Sequence, residues 1–450
     1  MPGHKQGKGI PKRFLGRLEA FDLTEIPGLD NLHSPHGVIK TAQELAAKAF
    51  HADQTYFLVN GSTCGMHAMI MTICNPGDKL IVARDCHKSV IGGMMLARAR
   101  PVYVKPEFDS EFGISTMLKP VEIKKALEQN PDAKAVIITR PGYYGICSDI
   151  EAIADIVHSY GRTLAVDEAH GAHLCFSDRL PASAMQAGAD ICVQSAHKTL
   201  PAFTQGAYLH VRRGRVDLEK LGFCLKLLQT SSPSYMIMAS LDIARAVMEY
   251  DGGKLLGRLL ENIAWFRESV LKEGIWQVLD ENRLRGAELD STRIVLNARK
   301  LGITGYELER SLRENYSIQV EMSDFYNIIC IGTVADSQED YEKLLFALRD
   351  LGERPVNALP LRAAPPFDLP IPRQKIELGD ITGCKSAYVD FDKALGKTSL
   401  DIVTPYPPGI PVICPGEEIT EQALVLLDCI VKSGGYVQGL GVGRRIRVAV

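Results

Sequence analysis

The chain has 450 residues, 46% of them hydrophobic and 23% charged, with a formal net charge of −3. That length allows two or three domains with sizeable cores, and the composition is that of an ordinary soluble globular protein. The slight acidity excludes a general nucleic-acid binder, which would carry a basic excess or stripe, and no apolar window approaches a membrane span in length.

The eleven cysteines are scattered, and no two share the short spacing of a zinc or redox motif. Several sit inside apolar runs, as in Ile191-Cys192-Val193 and Ile329-Cys330-Ile331. They read as reduced core residues of a cytoplasmic protein with no metal site. The N-terminus, Met1 to Lys8, has no apolar signal core.

From about residue 40 helix and strand patterns alternate. Thr41 to Phe50 is an Ala-rich amphipathic helix, Tyr56 to Val59 a short strand, and Ser62 to Cys74 a helix entered through Asn60-Gly61. Apolar strands follow at Leu80 to Ala83, Val102 to Val104, Ala135 to Thr139, Leu164 to Val166, Ile191 to Val193 and Gly206 to Val211. Helical segments such as Val121 to Gln129 and Ile150 to Ser159 separate several of them. Such alternation predicts an α/β fold built on a mainly parallel sheet with helices on both faces.

A second unit, from about Ser291 to Leu351, reads strand, helix, strand, helix, which suits a small α/β domain. Glu353 to Pro372 holds six prolines and is a linker by composition. Beyond it, Pro405-Tyr406-Pro407-Pro408-Gly409-Ile410-Pro411 is too rich in proline for regular structure and reads as a shaped loop. The expected division is a large domain over 1–285, a small domain over 286–352, a linker over 353–375 and a C-terminal domain over 376–450.

Ligands of such sheets bind beyond the carboxyl ends of the strands. There Lys198 follows the strand Ile191 to Val193, and Asp167 ends the strand Leu164 to Val166. An amine to form a Schiff base and a carboxylate to hold a pyridine nitrogen protonated are the two groups that pyridoxal 5'-phosphate requires. Ser62 and Thr63 open a helix, whose free N–H groups and hydroxyls suit a phosphate, and Ser195 can add a contact. His87 follows another strand at the same edge, where a flat imidazole can stack on a ring. A lone lysine after a strand is far more often a surface residue, and it is the combination that carries the reading. On these residues alone an aminotransferase, another lyase and a cofactor-binding regulatory subunit all remain open.

With these motifs the chain resembles the ornithine/lysine/arginine decarboxylase family of fold type I, aspartate aminotransferase-like enzymes. The resemblance extends from Pro2-Gly3-His4-Lys5 through Gly28-Leu29-Asp30-Asn31-Leu32-His33, Cys86-His87-Lys88-Ser89, Asp167-Glu168-Ala169-His170-Gly171 and Ser195-Ala196-His197-Lys198 to Tyr406-Pro407-Pro408-Gly409-Ile410-Pro411 and Pro415-Gly416-Glu417. It looks like a short form without an N-terminal wing domain. Gly142 and the residues Thr199 to Phe203 depart from the pattern common in this group.

The resemblance implies α-decarboxylation of a basic L-amino acid, with arginine favoured over lysine or ornithine. It makes Lys198 the Schiff-base lysine, Asp167 the partner of the ring nitrogen and His87 the stacking ring. Ser62, Thr63, Ala169, Ser195 and His197 line the cofactor, and Lys198 or His197 returns a proton to Cα. Thr230 and Ser231 resemble a segment that reaches the phosphate of a neighbouring subunit, which implies a homodimer or an assembly of dimers. Glu417 is the leading carboxylate for the substrate's distal cation, with Glu321 and Asp324 as lesser choices.

Overall fold

The computed structural model describes residues 1–353, 367–407 and 409–450. Most of the proline-rich linker, and Pro408 within the Tyr-Pro-Pro-Gly segment, lie outside the described residues.

Seven strands form the main sheet: β1 (Gln54–Leu58), β2 (Lys79–Ala83), β3 (Arg100–Val104), β4 (Ala135–Thr139), β5 (Thr163–Asp167), β6 (Ile191–Gln194) and β7 (Ala207–Val211). Their order is β1-β7-β6-β5-β4-β2-β3. All neighbouring pairs from β6 to β3 are parallel, while β7 runs antiparallel to both β6 and β1. The strands are continuous apolar runs because both faces are covered. Alternate residues go to opposite sides: Leu80, Val82 and Ile137 join one buried cluster, and Ile81, Val136 and Ile138 join the other.

α1 (Val38–Ala49) packs with Phe57 and Tyr208, whereas α2 (Gly61–Ile73) and α3 (Lys88–Ala97) lie on the first face, packed closely on each other. Met66, Met69, Ile70, Val90, Ile91 and Met94 fill the space beneath α2 and α3. On the second face α4 (Pro120–Gln129) and α5 (Ile150–Ser159) contribute Ile123, Leu127, Ile153 and Val157. The four-residue helix α6 (Ala196–Thr199) carries Lys198 directly beyond β6, a turn too short to show in the sequence pattern. After α7 (Leu218–Leu228), the 38-residue α8 (Tyr235–Lys272) runs from the large sheet to the small one. Among the described residues no helix is long and apolar enough to cross a membrane.

The small sheet is entirely antiparallel, in the order β8 (Gln277–Val278), β9 (Arg293–Asn297), β11 (Asn327–Ile331), β10 (Met322–Ser323). It packs with α9 (Gly305–Tyr316) and α10 (Gln338–Glu353). β8, which lies upstream of residue 286, pairs with β9 as an edge strand of this sheet. The C-terminal region holds α11 (Glu421–Lys432) and an antiparallel pair, β12 (Ser386–Asp390) with β13 (Arg445–Ala449), around its own apolar cluster.

The Gly-Leu-Asp-Asn-Leu-His segment has a structural use here. Asp30 is buried, and its carboxylate accepts N–H groups at the start of α1, from Gly37 at 2.8 Å and Ile39 at 3.0 Å, as well as from His36 at 2.9 Å. Burial alone would raise its pKa, but the N–H groups of His36, Gly37, Asn31 and Lys40 outweigh that and bring the carboxyl down to about 2. A depressed carboxyl stabilises fully above the ordinary aspartate pKa of about 4 and ceases to do so as the pH falls through its folded value. Asp30→Ala is expected to cost about 1–2 kcal/mol at neutral pH, with the gap to wild type closing between about pH 4 and pH 2, as measured by denaturant unfolding across that range.

Candidate active site

The parallel register brings three strand ends together, since Thr139 faces Asp167 and Asp167 faces Val193. Lys198 projects from the turn after β6. Its Nζ lies 3.1 Å from Nε2 of His170, the last residue of Asp-Glu-Ala-His. Burial lowers the pKa of the amine, Asp167 and Glu321 oppose that, and Arg293 adds to it. Asp167 is 4% exposed and accepts the N–H of Ala169 at 3.1 Å. Burial raises its carboxyl, while Lys198 and that N–H pull it back.

At the same edge Ser195 and Ser62 hydroxyls lie 2.6 Å apart, at the first turn of α2. Gly61 enters this helix with φ of +78°, a conformation that costs glycine nothing, and Thr63 stands beside Ser62 in the same turn. Hydroxyls thus gather at a helix N-terminus, whose N–H groups favour negative charge.

His87 caps α3, its Nδ1 accepting the N–H of Ser89 at 3.2 Å. The ring lies against Gly409 in the proline-rich loop, where an added Cβ would come within 3.2 Å of it. Burial, reinforced by Lys198, brings its pKa down to about 3. The Nδ1 of His197 lies 3.0 Å from the Gly206 carbonyl, so that nitrogen must carry the proton of the neutral ring. Burial keeps this ring neutral, its pKa down at about 4.

Two residues that the motifs alone do not single out complete the centre. Arg293 opens β9, is 0% exposed, and places Nη2 2.9 Å from Nδ1 of His170 and 3.1 Å from its carbonyl oxygen. The sequence does carry a signal, a cation heading an otherwise apolar strand, Arg-Ile-Val-Leu. The other is Asp85, two residues before His87. It lines a cavity of about 180 Å³ together with Tyr144, Tyr306, Asp324, Pro407 and Ile410. Burial raises the Asp85 carboxyl to about 6, against its own N–H and Arg84.

The expected substrate carboxylates separate on this evidence. Asp324 does face the cavity, accepting the Tyr144 hydroxyl at 2.9 Å. Glu417 does not present a free charge: it is 0% exposed, pairs with Nη2 of Arg84 at 3.0 Å and accepts the N–H of Cys414 at 2.7 Å. The physical reason is local, because a carboxylate with no access to water is held by the nearest cation. Thr230 and Ser231 are exposed, with the Thr230 N–H 3.3 Å from the Asn60 side chain that precedes α2.

The sheet order and the convergence of lysine and aspartate at its carboxyl edge define a fold type I α/β enzyme of the aspartate aminotransferase-like class. The lysine decarboxylase LdcF of Francisella novicida shares that fold, with a TM-score of 0.84 at 22% identity over 100% of this chain and 78% of that one. Residues 1–284 match the model of the Orn/Lys/Arg decarboxylase major domain, and residues 380–433 that of its C-terminal domain. Arginine decarboxylase of Bacillus subtilis is 38% identical over 447 residues, covering 98% of this chain and 91% of the relative. That of Bacillus anthracis is 37% identical over 453 residues with the same coverage. The chain belongs to the Orn/Lys/Arg decarboxylase family and is an amino-acid decarboxylase.

Removing the Glu417 carboxylate would leave Arg84, with its side chain 13% exposed, without its anion. Glu417→Ala is therefore expected to lower stability by about 3 kcal/mol, read as a shift of the chemical denaturation midpoint, with Arg84→Met partly restoring it in the double variant.

Proposed function

We propose that this enzyme is a pyridoxal-phosphate-dependent decarboxylase of L-arginine, releasing CO₂ and agmatine. The observation that carries the substrate is the likeness, at 37–38% identity over nearly the whole chain, to relatives named arginine decarboxylase. The geometry agrees with it. Three aspartates, Asp85, Asp324 and Asp368, line one cavity with two tyrosines, Asp368 being paired with Lys105 there, and two carboxyl groups without a cationic partner among the described residues suit a planar guanidinium.

The residues present fit the cofactor. A buried amine, a buried carboxylate one strand away and a hydroxyl-lined helix N-terminus supply the three kinds of contact that its aldehyde carbon, ring nitrogen and phosphate need. The Thr199 hydroxyl is also buried, with no hydrogen-bond partner among the described residues. When bound, pyridoxal phosphate supplies the electron sink for the pair left behind by CO₂.

Lys198 would hold the cofactor between turnovers. Asp167 would keep the proton on the ring nitrogen, because a neighbouring carboxylate favours the charged, protonated form of that nitrogen. His87, neutral and fixed by its cap and by Gly409, would offer a flat uncharged face. Ser62, Thr63 and Ser195 would hold the phosphate, with Ala169 at the ring. His197 carries its one proton on Nδ1, bound to a carbonyl, which leaves the return of a proton to Cα to Lys198. Asp85 and Asp324 would hold the guanidinium and set the distance between it and the reacting carbon.

A homodimer completes this reading. Thr230 and Ser231 are exposed, and on the preceding α7 Phe223 and Leu227 are 62% and 59% exposed, an apolar face suited to a second copy. Cys64, Cys74, Cys86, Cys147, Cys192, Cys224 and Cys414 are buried as reduced thiols, in keeping with a cytoplasmic protein. The two family-model matches and the separate sheets support the division at about residues 285, 352 and 375, with β8 as an outlying strand of the small unit.

Incubation with arginine, lysine and ornithine in turn, with product analysis, tests the proposal. Agmatine and CO₂ from arginine support it; cadaverine or putrescine as the main product, or keto acid without CO₂, overturns it. Lys198→Ala should lose both turnover and the absorbance of the bound cofactor. Asp85→Asn is expected to raise KM for arginine about tenfold or more with a smaller change in kcat, the mark of a lost ground-state contact; an unchanged KM would place the guanidinium elsewhere.

A further inference from the structure

The contact between Lys198 and His170 is constrained by a third group. A guanidinium can only donate hydrogen bonds. Where Arg293 Nη2 meets His170 Nδ1 at 2.9 Å, that ring nitrogen must accept. A neutral imidazole has one N–H, so the proton of His170 sits on Nε2. Both ring nitrogens have partners at hydrogen-bond distance, which leaves no freedom to turn the ring over. An Nε2–H can only donate, and 3.1 Å away stands Lys198 Nζ. An ammonium has no lone pair to receive it; a free amine does.

We propose that Arg293 acts through His170 as a positioning residue for Lys198, fixing the imidazole as the Nε2–H tautomer so that its N–H is matched only by the uncharged amine. This inference rests on the reading of Lys198 as the Schiff-base lysine, for which an uncharged nitrogen is the reactive form.

The surroundings explain why such a device is needed. Asp167 at the end of β5 and Glu321 before β10 both favour the ammonium, while burial and Arg293 disfavour it. His87 and His197 face the same group, and burial together with Lys198 and Arg293 keeps the His170 ring unprotonated. The Tyr143 ring meets His170 edge-on at 5.4 Å and restrains its plane. Arg293 is held for this purpose at visible expense. It is fully buried, its Nε and Nη1 have no partner among the described residues, and its stem passes Gly145, where a Cβ would lie 2.7 Å from it. Gly145 has φ of +85°, so glycine suits that passage twice over. A buried cation with idle donors contributes little to stability, and among the described residues its one hydrogen-bonded side-chain partner is the histidine that touches the lysine.

The test uses the full-length chain freed of bound aldehyde, with Lys198 acylation by acetic anhydride followed by mass spectrometry from pH 6 to 11. Only the free amine reacts, so the midpoint reports its protonation. Arg293→Leu is expected to move the midpoint up by about one pH unit, a tenfold loss of labelling below it, and Arg293→Lys, another pure donor, to restore it. In a His170→Phe background the same Arg293→Leu change should have less than half that effect. An unshifted midpoint, or an equal shift in both backgrounds, overturns the relay and leaves at most a direct charge effect. Nitrogen NMR of the histidine-labelled wild-type chain gives a check that needs no variant: His170 neutral with its proton on Nε2 supports the proposal, and a proton on Nδ1 overturns it. Neither readout requires turnover. Loss of the relay is thus distinguishable from failure of the decarboxylase reading, which the product analysis decides.

Discussion

A sheet packed on both faces leaves polar side chains a place only where its strands stop. Leu80, Ile137, Val166 and Val193 are closed off from water on either side, and a charge among them would go unsolvated. The candidate functional groups therefore stand at the carboxyl edge, where parallel strands in register deliver Thr139, Asp167 and the turn bearing Lys198 side by side. The same parallel direction sets the N-terminus of α2 at that edge, so an amine, a carboxylate and an anion site arise from one topological rule.

Such an edge is only half a site. The small sheet supplies Arg293 to His170, and the C-terminal region supplies the loop against His87. Arg84 pairs with Glu417 across 333 positions of chain, Lys88 donates to Gln438 at 2.7 Å, and the Lys88 N–H meets the Gly409 carbonyl at 3.3 Å. These contacts tie the strand end bearing Asp85 and His87 to the C-terminal unit. They give the two late motifs a physical use: Gly409 lies against the imidazole, and Glu417 neutralises Arg84. Of the aspartates lining the cavity, Asp368 is paired with Lys105, and Asp324 accepts the Tyr144 hydroxyl and the N–H groups of Tyr326 and Asn327.

Much of this was legible beforehand because it is local. The strand Ala135–Thr139 and the helix Ile150–Ser159 fall on the residues their periodicity marks, and other elements of the sheet differ by a residue or two at their ends. Lys198 and Asp167 were legible for the same reason, since a polar residue ending an apolar run marks a strand end. The antiparallel insertion of β7 was not, because a strand buried on both faces reads alike in either direction. Nor was the use of Glu417, whose neighbour in the motif gives no hint of a cation arriving from β2's end.

By itself the sequence determined the alternation of elements, the sheet edge at which a lysine and an aspartate would stand, and the family. Each of these depends on the order of side chains along a short stretch. Only the tertiary structure decided which charges are already matched within the protein and which remain to meet a ligand. Arg84 with Glu417 and Arg293 with His170 are encounters between segments far apart in the chain. A buried ionisable group takes its role from whatever the fold places within hydrogen-bond reach, because in a low dielectric the nearest partner outweighs all others.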